Sequence, residues 1–391
     1  MDLDIGPEYD GLRQQVRSFL DRHRDLAVPA GPGSGATMEQ RLAWQDLLVD
    51  GGWVGRTIPE RYGGAGQQPD LLGDLVIEEE FRRAGVSQGI ANQGISMFVP
   101  TLLHYGDEEQ KQLWVEPTMR GRLLWCQGYS EPGSGSDLAS LQTRGRRDGD
   151  DYVINGQKIW TSTAQIADMM FGLIRTEPEA GKHGGISYMV IPMQTPGIEV
   201  RPMRQMTGES DFNEVFFTDA RVPAGNVIGE PGQGWEIGTA TLRFERDMLG
   251  RSAQAETFLD GAERILRETG KIDHPVWRDR LMRLRARALA MKFHRYRMLT
   301  DRLRGRDSGA SGLITKLNGC QLNYDICALA IDAMGERGIL RRGSAHVRDD
   351  GEWQIQYMYA LGLIIGGGTA QIQKNIIAQR GLGLPRSAAK S

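Results

Sequence analysis

A change of hydrophobic period constrains this chain more than any other feature: the pattern is helical toward both ends and strand-like in the middle. Leu12, Val16 and Leu20 recur at spacing four, and Trp44, Leu47 and Leu48 repeat an i, i+3, i+4 stripe. A Gly- and Pro-bearing spacer from Val28 to Thr37 separates these two helices, and helical pattern resumes from Leu71 to about Thr118 with a break near Gly85. The middle then offers short strand segments at Met169–Ile174, Ile186–Ile191, Ile198–Pro202 and Glu214–Thr218. Ahead of them, Asn155-Gly156 sits between Tyr152–Ile154 and Gln157–Trp160 and supplies the positive φ angles of a tight hairpin turn. From about Gly232 the helical period returns, with Leu281, Leu284, Ala288 and Met291 marking one long helix. Helical, then β, then helical is an α+β order of segregated layers rather than alternating βαβ units. It predicts an N-terminal helical domain over 1–122, a middle β domain over 123–230 and a C-terminal helical bundle over 231–391. A chain of 391 residues exceeds the roughly 250–300 at which a single core stops growing, which fits that division.

Composition excludes several partners. A formal net charge of -3 with 25% charged residues gives no support to nucleic acid or an anionic membrane surface. No apolar run approaches the roughly 20 residues needed to cross a bilayer, and the acidic N-terminus lacks the regions of a signal peptide. The expectation is a soluble, cytoplasmic protein. Three cysteines make no disulfide framework; Cys320 and Cys327, seven apart in a helical pattern, read as core residues. The six histidines show no metal-ligand spacing, and no serine occupies a Gly-x-Ser-x-Gly elbow, so hydrolysis is unsupported. The arginine-rich stretch from Arg278 to Arg306 reads as a solvated helix face.

Two glycine-rich stretches invite a functional reading. Gly31-Pro-Gly33-Ser-Gly35-Ala36 matches a dinucleotide-binding pattern formally, but that motif works only between a strand and a helix of a βαβ unit. A helix precedes it here, so it reads as a loop. The second, Trp125-Cys-Gln-Gly-Tyr-Ser-Glu-Pro-Gly-Ser-Gly-Ser-Asp137, is a polar turn leaving a strand, rich in backbone N–H groups and hydroxyls suited to a carbonyl- or phosphate-bearing ligand. Alternation along the strand that follows places Trp160 and Ser162 on one face, an indole beside a hydroxyl, as a flat heteroaromatic ring requires. On the residues alone, a surface loop beside an ordinary hairpin remains the other reading.

The stretch resembles the acyl-CoA dehydrogenase signature, in which an acidic-proline turn with Gly-x-Gly-Ser-Asp precedes a Tyr-x-x-Asn-Gly-x-Lys-x-Trp segment. Ile58-Pro-Glu-Arg-Tyr-Gly-Gly64, Gly368-Thr-Ala-Gln-Ile-Gln373 and Leu382-Gly-Leu-Pro385 are similar to further motifs of that family in the same order. The resemblance implies the family's architecture, including a C-terminal four-helix bundle, and FAD as cofactor. It implies that Gln127, Tyr129 and Ser130 line the flavin, that Trp160 lies against its ring and that Ser162 reaches its N5 edge. Ser136 would contact the acyl-CoA, while Thr369 and Gln371 would meet FAD of the same or a neighbouring subunit. A tetramer and an electron-transfer flavoprotein as electron acceptor follow from the same resemblance.

The family chemistry, α,β-desaturation of a thioester, needs a carboxylate base in a dry site. Many members carry it immediately before the Gly-Thr of the C-terminal motif; this chain has Gly367 there, which keeps a backbone N–H for the thioester oxygen but no base. Other members place the base in a Glu-Arg pair on the first long helix of the C-terminal domain, matched here by Glu245-Arg246. The i±3 and i±4 neighbours of Glu245 are Thr241, Leu242, Met248 and Leu249, with no cation among them, whereas Asp247 has Arg243 and Arg251. Glu245 is therefore the candidate base, and Arg246 a candidate for orienting it or the thioester. Two family elements that reach a neighbour's FAD are altered here, to Glu268–His274 and Asp332–Glu336. Two rival readings follow: a catalytically silent partner subunit of a heteromeric dehydrogenase, and a flavin oxidase or N-oxygenase on the same fold.

Overall fold

The structure, a computed structural model, describes residues 5–30, 35–248, 252–306 and 311–385, and of residues 245–248, 252 and 253 the backbone alone. The formal dinucleotide pattern at 31–36 thus falls largely outside the described residues. The chain forms two compact units, one built on the residues up to Met203 with Ser210–Thr241, the other on Arg204–Glu209 and the residues from Leu242 onward.

The first unit begins with helices α1 (Asp10–Arg22), α2 (Met38–Asp50), α3 (Leu71–Ala84), α4 (Val99–Tyr105) and α5 (Glu108–Met119). Their ends are written in the sequence. Thr37 and Gln40 form a reciprocal capping box on α2, and Asp107 and Gln110 form another on α5. Asp70 caps α3, which stops at Gly85. The expected stripes meet inside: Val16 and Leu20 pack with Trp44, Leu48, Ile77 and Phe81.

The sheet of this unit contains β1 (Trp125–Gly128), β2 (Arg144–Asp148), β3 (Asp151–Ser162), β4 (Met169–Arg175), β5 (Ile186–Pro192), β6 (Ile198–Met203), β7 (Phe212–Pro223) and β8 (Val227–Ile228). A one-turn helix, α6 (Gly181–Gly184), lies between β4 and β5. Strand order is β6-β7-β3-β2-β4-β5-β8, with β1 added parallel to β4. β4 and β5 are buried along nearly their whole length, which is why they read as continuous apolar runs; β7 alternates over its first half.

One sequence expectation fails here. Asn155-Gly156 is not a hairpin turn: β3 runs unbroken from Asp151 to Ser162, and the reversal is the Gly149-Asp150 loop between Asp148 and Asp151. Asn155 instead works sideways. Its Nδ2 donates to Asp219 Oδ1 at 2.9 Å and its Oδ1 accepts from the Asp219 N–H at 3.0 Å. Ile154 pairs with Ala220 and Gly156 with Phe217, so the extra residue sits on β7, where Asp219 has φ 50°. The same residue types that close a hairpin here seat a β-bulge.

α7 (Gly234–Met248) carries the chain from one unit into the other. The second unit continues with α8 (Ser252–Glu268), α9 (Pro275–Leu303), α10 (Ser311–Met334), α11 (Glu352–Ile365) and α12 (Ala370–Ile376). Helices α8 to α11 share one core, in which Leu259, Ile265, Leu281, Leu284, Ile326 and Ala330 are buried together with Cys327. Cys320 is buried as well, as a core cysteine should be. The arginine face of α9 is not merely solvated: Arg287 pairs with Asp325 and Arg280 with Asp332, each at 2.6 Å, and Arg285 pairs with Glu263. The α+β architecture with helical ends and a middle sheet is thus the one the hydrophobic period indicates. Among the described residues, no helix is long and apolar enough to cross a membrane, and no cluster of His, Cys, Asp and Glu is built to hold a metal.

Ile326, fully buried between the helices, tests this core. Ile326→Ala is expected to cost about 2–5 kcal/mol of stability in urea unfolding; a loss under about 1 kcal/mol would mean the bundle packs otherwise.

Candidate functional site

The site starts at β1. Trp125 stacks on Phe98 with ring centroids 3.8 Å apart, and its Nε1 donates to Thr118 Oγ1 at 2.8 Å. Strand alternation puts Gln127 and Tyr129 on the same face as Trp125. Tyr129 is buried edge-on against Phe171 and Tyr188. The Gln127 Nε2 is buried and finds no acceptor among the described residues.

Beyond β1 the chain makes a closed turn in which Glu131 and Ser134 exchange backbone hydrogen bonds, both at 3.0 Å. Ser134 Oγ bonds the carbonyls of Asp137 and Leu138. Gly135, Ser136 and Asp137 remain exposed, and Asp137 pairs with Lys182 at 2.7 Å. The turn is held from within by Lys158, which no part of the sequence reading singled out. Its ammonium is fully buried and donates to Glu131 Oε1 at 2.8 Å and to the Tyr129 carbonyl at 3.2 Å. The Glu131 carboxylate also accepts from the N–H groups of Gln142 and Thr143. Burial alone would push this carboxyl up, but the Lys158 ammonium and these donors hold it below its ordinary value. Burial draws Lys158 down to about 8 against the pull of Glu131, so both partners are ionised at neutral pH. The signal for it was available: a lysine at an inward position of a strand two residues before Trp160.

The pair fixes what lies next to it. The Ser130 carbonyl accepts from the Ile159 N–H at 2.9 Å, tying the β1 exit to β3. There β3 carries a second bulge, because Lys158 pairs with Val215 but Thr161 pairs with Asn213. Trp160 sits in that bulge at φ 59°, its indole 59% exposed and edge-on to Phe212. A large apolar side chain in a left-handed conformation is costly, and such strain gathers at binding sites. Past the bulge, Thr161 is buried while Trp160 is exposed and Ser162 half-buried, so the bulge turns Trp160 away from the buried side that Lys158 occupies. An exposed indole, a nearby hydroxyl and an orphaned amide donor at Gln127 are what a flavin's flat ring and carbonyl edge would engage; the residues present fit that group. A cavity of about 520 Å³ opens beside the same turn, between Glu131–Ser134, Ser140–Thr143 and Gly156–Gln157, and takes in none of these side chains. It is a separate fissure beside the loop.

The remaining sequence candidates belong to the second unit. Gly367 and Gly368 have φ 64° and 95°, and Thr369 Oγ1 caps α12 by accepting from the Ile372 N–H at 3.2 Å. Gln371 is exposed. Glu245 and Arg246 fall on α7, but their side chains lie outside the described residues. Two residues that sequence reasoning passed over surround the glycine loop. Lys316 and Gln373 are both buried, and both bond its carbonyls. Lys316 stands in register with Cys320, Asn323 and Cys327 on the inward stripe of α10, where a lone cation was a readable anomaly.

Comparison with known proteins accords with this geometry. Family profiles of the acyl-CoA dehydrogenase N-terminal, middle and C-terminal domains match residues 6–122, 126–220 and 232–382. Acyl-CoA dehydrogenase IpdE1 of Mycobacterium tuberculosis is 38% identical over 97% of this chain and 99% of its own. Among solved structures, the ChsE4-ChsE5 complex of Mycobacterium tuberculosis aligns with TM-score 0.81 and 31% identity over 99% of this chain and 100% of that one. A complex described as the Tcur3481-Tcur3483 steroid ACAD gives TM-score 0.81 at 30% identity, over 99% of this chain and 100% of that one. The chain belongs to the acyl-CoA dehydrogenase family.

The buried pair makes a prediction with a definite sign. The folded value of Glu131 lies below its unfolded value, so its stabilisation is present above about pH 4.3 and is lost as pH falls through the folded value. Glu131→Gln leaves the Lys158 ammonium without its carboxylate and is expected to cost about 3–5 kcal/mol. It should also flatten the acid limb of stability against pH. Urea unfolding across pH checks both, and an unchanged acid limb would remove the pair from its central role.

Proposed function

We propose that this chain is an FAD-dependent acyl-CoA dehydrogenase with Glu245 as the base that takes the α-proton. The observation that carries the flavin part is Trp160, held exposed on a strained bulge beside Ser162 and bound through Ser130 to the turn that Lys158 and Glu131 lock. FAD, when bound, supplies the hydride acceptor at N5. The protein's own task is the rest. Trp160 stacks on the ring, Ser162 hydrogen-bonds its N5 edge, Gln127, Tyr129 and Ser130 line it, and Ser136 meets the acyl-CoA. Gly367 offers a backbone N–H to the thioester oxygen, and Thr369 and Gln371 bind the cofactor. Glu245, with Arg246 beside it to orient the thioester or the carboxylate, removes the proton.

A second reading is supported by Gly367, which leaves the loop without a carboxylate, and by two relatives that are complexes of two differently named chains. In that reading this chain is one half of a heterotetramer, as opposed to a homotetramer, and a homologous chain completes the flavin sites. An electron-transfer flavoprotein accepts the electrons in either arrangement. The name of one of those complexes brings steroid-derived thioesters onto the list of acyl groups to test.

The experiment is a visible absorbance spectrum of the purified protein, then anaerobic titration with straight-chain, branched and steroid-derived acyl-CoAs. A yellow protein bleached by one class supports the lead reading, and a colourless protein that gains flavin only with a homologous chain supports the second. Oxygen consumption with a non-thioester substrate would favour an oxidase or N-oxygenase. Glu245→Gln is expected to retain flavin and lower turnover about 10²–10⁴-fold; near-normal turnover would remove Glu245 as base.

A further inference from the structure

The glycine loop between α11 and α12 is pinned by two buried side chains that no proposed step uses. The Lys316 ammonium, 1% exposed, donates to the Ile364 carbonyl at 2.9 Å and to the Gly368 carbonyl at 2.6 Å. Gln373, 0% exposed, donates through Nε2 to the Gly367 carbonyl at 3.0 Å. The first of these carbonyls is one of the last four of α11, which have no partner inside the helix, and a cation is favoured there. The others follow directly, at the two residues with left-handed backbone. The fit is close: a Cβ on Gly368 would stand 2.7 Å from Gln373 Nε2.

Fixing these carbonyls fixes more than the carbonyls. A trans peptide is planar, and its C=O and N–H point in opposite directions. With the Gly367 and Gly368 carbonyls drawn toward Gln373 and Lys316, the N–H groups of Gly368 and Thr369 are turned away from those anchors. The segment is thus tied on both sides of Gly367. No acceptor among the described residues takes the N–H of Gly367, Gly368 or Thr369. Donors aimed in advance at a developing oxyanion are worth most when nothing reorganises during reaction.

We propose that Lys316 and Gln373 are positioning residues that hold the Gly366–Gly368 loop so that its amide groups are pre-aimed at the thioester oxygen of an acyl-CoA. The proposal rests on the dehydrogenase reading given above. Neither side chain touches substrate: through the Gly367 and Gly368 carbonyls they orient the Gly368 and Thr369 N–H groups directly, and, by tying Ile364 and Gly368, Lys316 brackets the segment that carries the Gly367 N–H.

The test uses the flavin-loaded enzyme, with its homologous chain if one is required, and two variants, Lys316→Met and Gln373→Leu. Two quantities are read: kcat and KM for the best acyl-CoA, and the carbonyl stretching frequency of bound pivaloyl-CoA, labelled at the carbonyl carbon. Pivaloyl-CoA has no α-hydrogen, so it reports polarisation without turnover. Wild type is expected to shift the stretch to lower frequency. Each variant should lose most of that shift and drop kcat at least tenfold while KM changes less than threefold, and Lys316→Arg, which still donates twice, should restore part of both. Wild-type kcat and carbonyl shift in Lys316→Met overturns the proposal. Should Lys316→Met not fold, Gln373→Leu, which frees only the Gly367 carbonyl, decides by the same two readouts. A wild type that desaturates acyl-CoA without shifting the carbonyl overturns the positioning role alone; one that desaturates no acyl-CoA overturns the reading beneath it.

Discussion

The buried ion pair of Lys158 and Glu131 is the interaction on which the geometry of the β1 exit and the Trp160 bulge depends. Taking both charges out of water is expensive, and the cost is offset by their mutual attraction together with hydrogen bonds to backbone groups on both partners. Glu131 accepts from Lys158 and from two backbone amides, and Lys158 also binds the Tyr129 carbonyl. A pair held by this many directional bonds favours one geometry. It joins the β1 exit to β3 at one register, so the bulge at Ile159–Trp160 and the Ser130–Ile159 hydrogen bond follow from it.

Specificity of geometry, more than stability, is what such a pair supplies. An apolar replacement could fill the same volume and stabilise the sheet equally well. It would not define where Ser130 and Trp160 stand relative to each other, because dispersion contacts tolerate sliding that charge-assisted hydrogen bonds do not. Trp160 shows what this rigidity is used for. A tryptophan at φ 59° stays there only if the flanking residues permit nothing else. On one side Lys158 is locked, and on the other Thr161 is buried opposite Asn213, whose Nδ2 bonds the Thr161 carbonyl at 3.0 Å.

The order of layers was legible because hydrophobic period reports which face of a segment is buried, and that is local. The turn chemistry of Asn155-Gly156 was legible only in part. A positive-φ pair signals a departure from regular strand, but whether it reverses the chain or seats a bulge depends on what lies across the sheet. Here that is Asp219, more than sixty residues away. The bulge at Ile159–Trp160 was not legible either, because the shift between Lys158 and Thr161 is set by their partners Val215 and Asn213 across the sheet. Lys158, Glu131, Lys316 and Gln373 were missed for a common reason: their roles are bonds to backbone carbonyls and amides, and a sequence records no backbone geometry. A charged or amide side chain at an inward position was the only trace they left.

Gly367 illustrates how one such constraint reaches into the chemistry. At φ 64° a side chain of any size meets a left-handed backbone that costs about 1–2 kcal/mol. Gly368, at φ 95°, would bring a Cβ to 2.7 Å from Gln373 Nε2, so the anchoring amide would have to move. A loop drawn this tightly onto Lys316 and Gln373 is well made for presenting amide groups and poorly made for carrying a carboxylate. In the reading proposed above, the proton acceptor comes instead from an element with ordinary backbone. A helix meets that need, since it places a glutamate among i±3 and i±4 neighbours that set its environment without straining the chain. Glu245 on α7, flanked at those spacings by Thr241, Leu242, Met248 and Leu249, is such a position. In the dehydrogenase reading proposed above, glycine in the loop and glutamate on the helix separate oxygen binding from proton transfer.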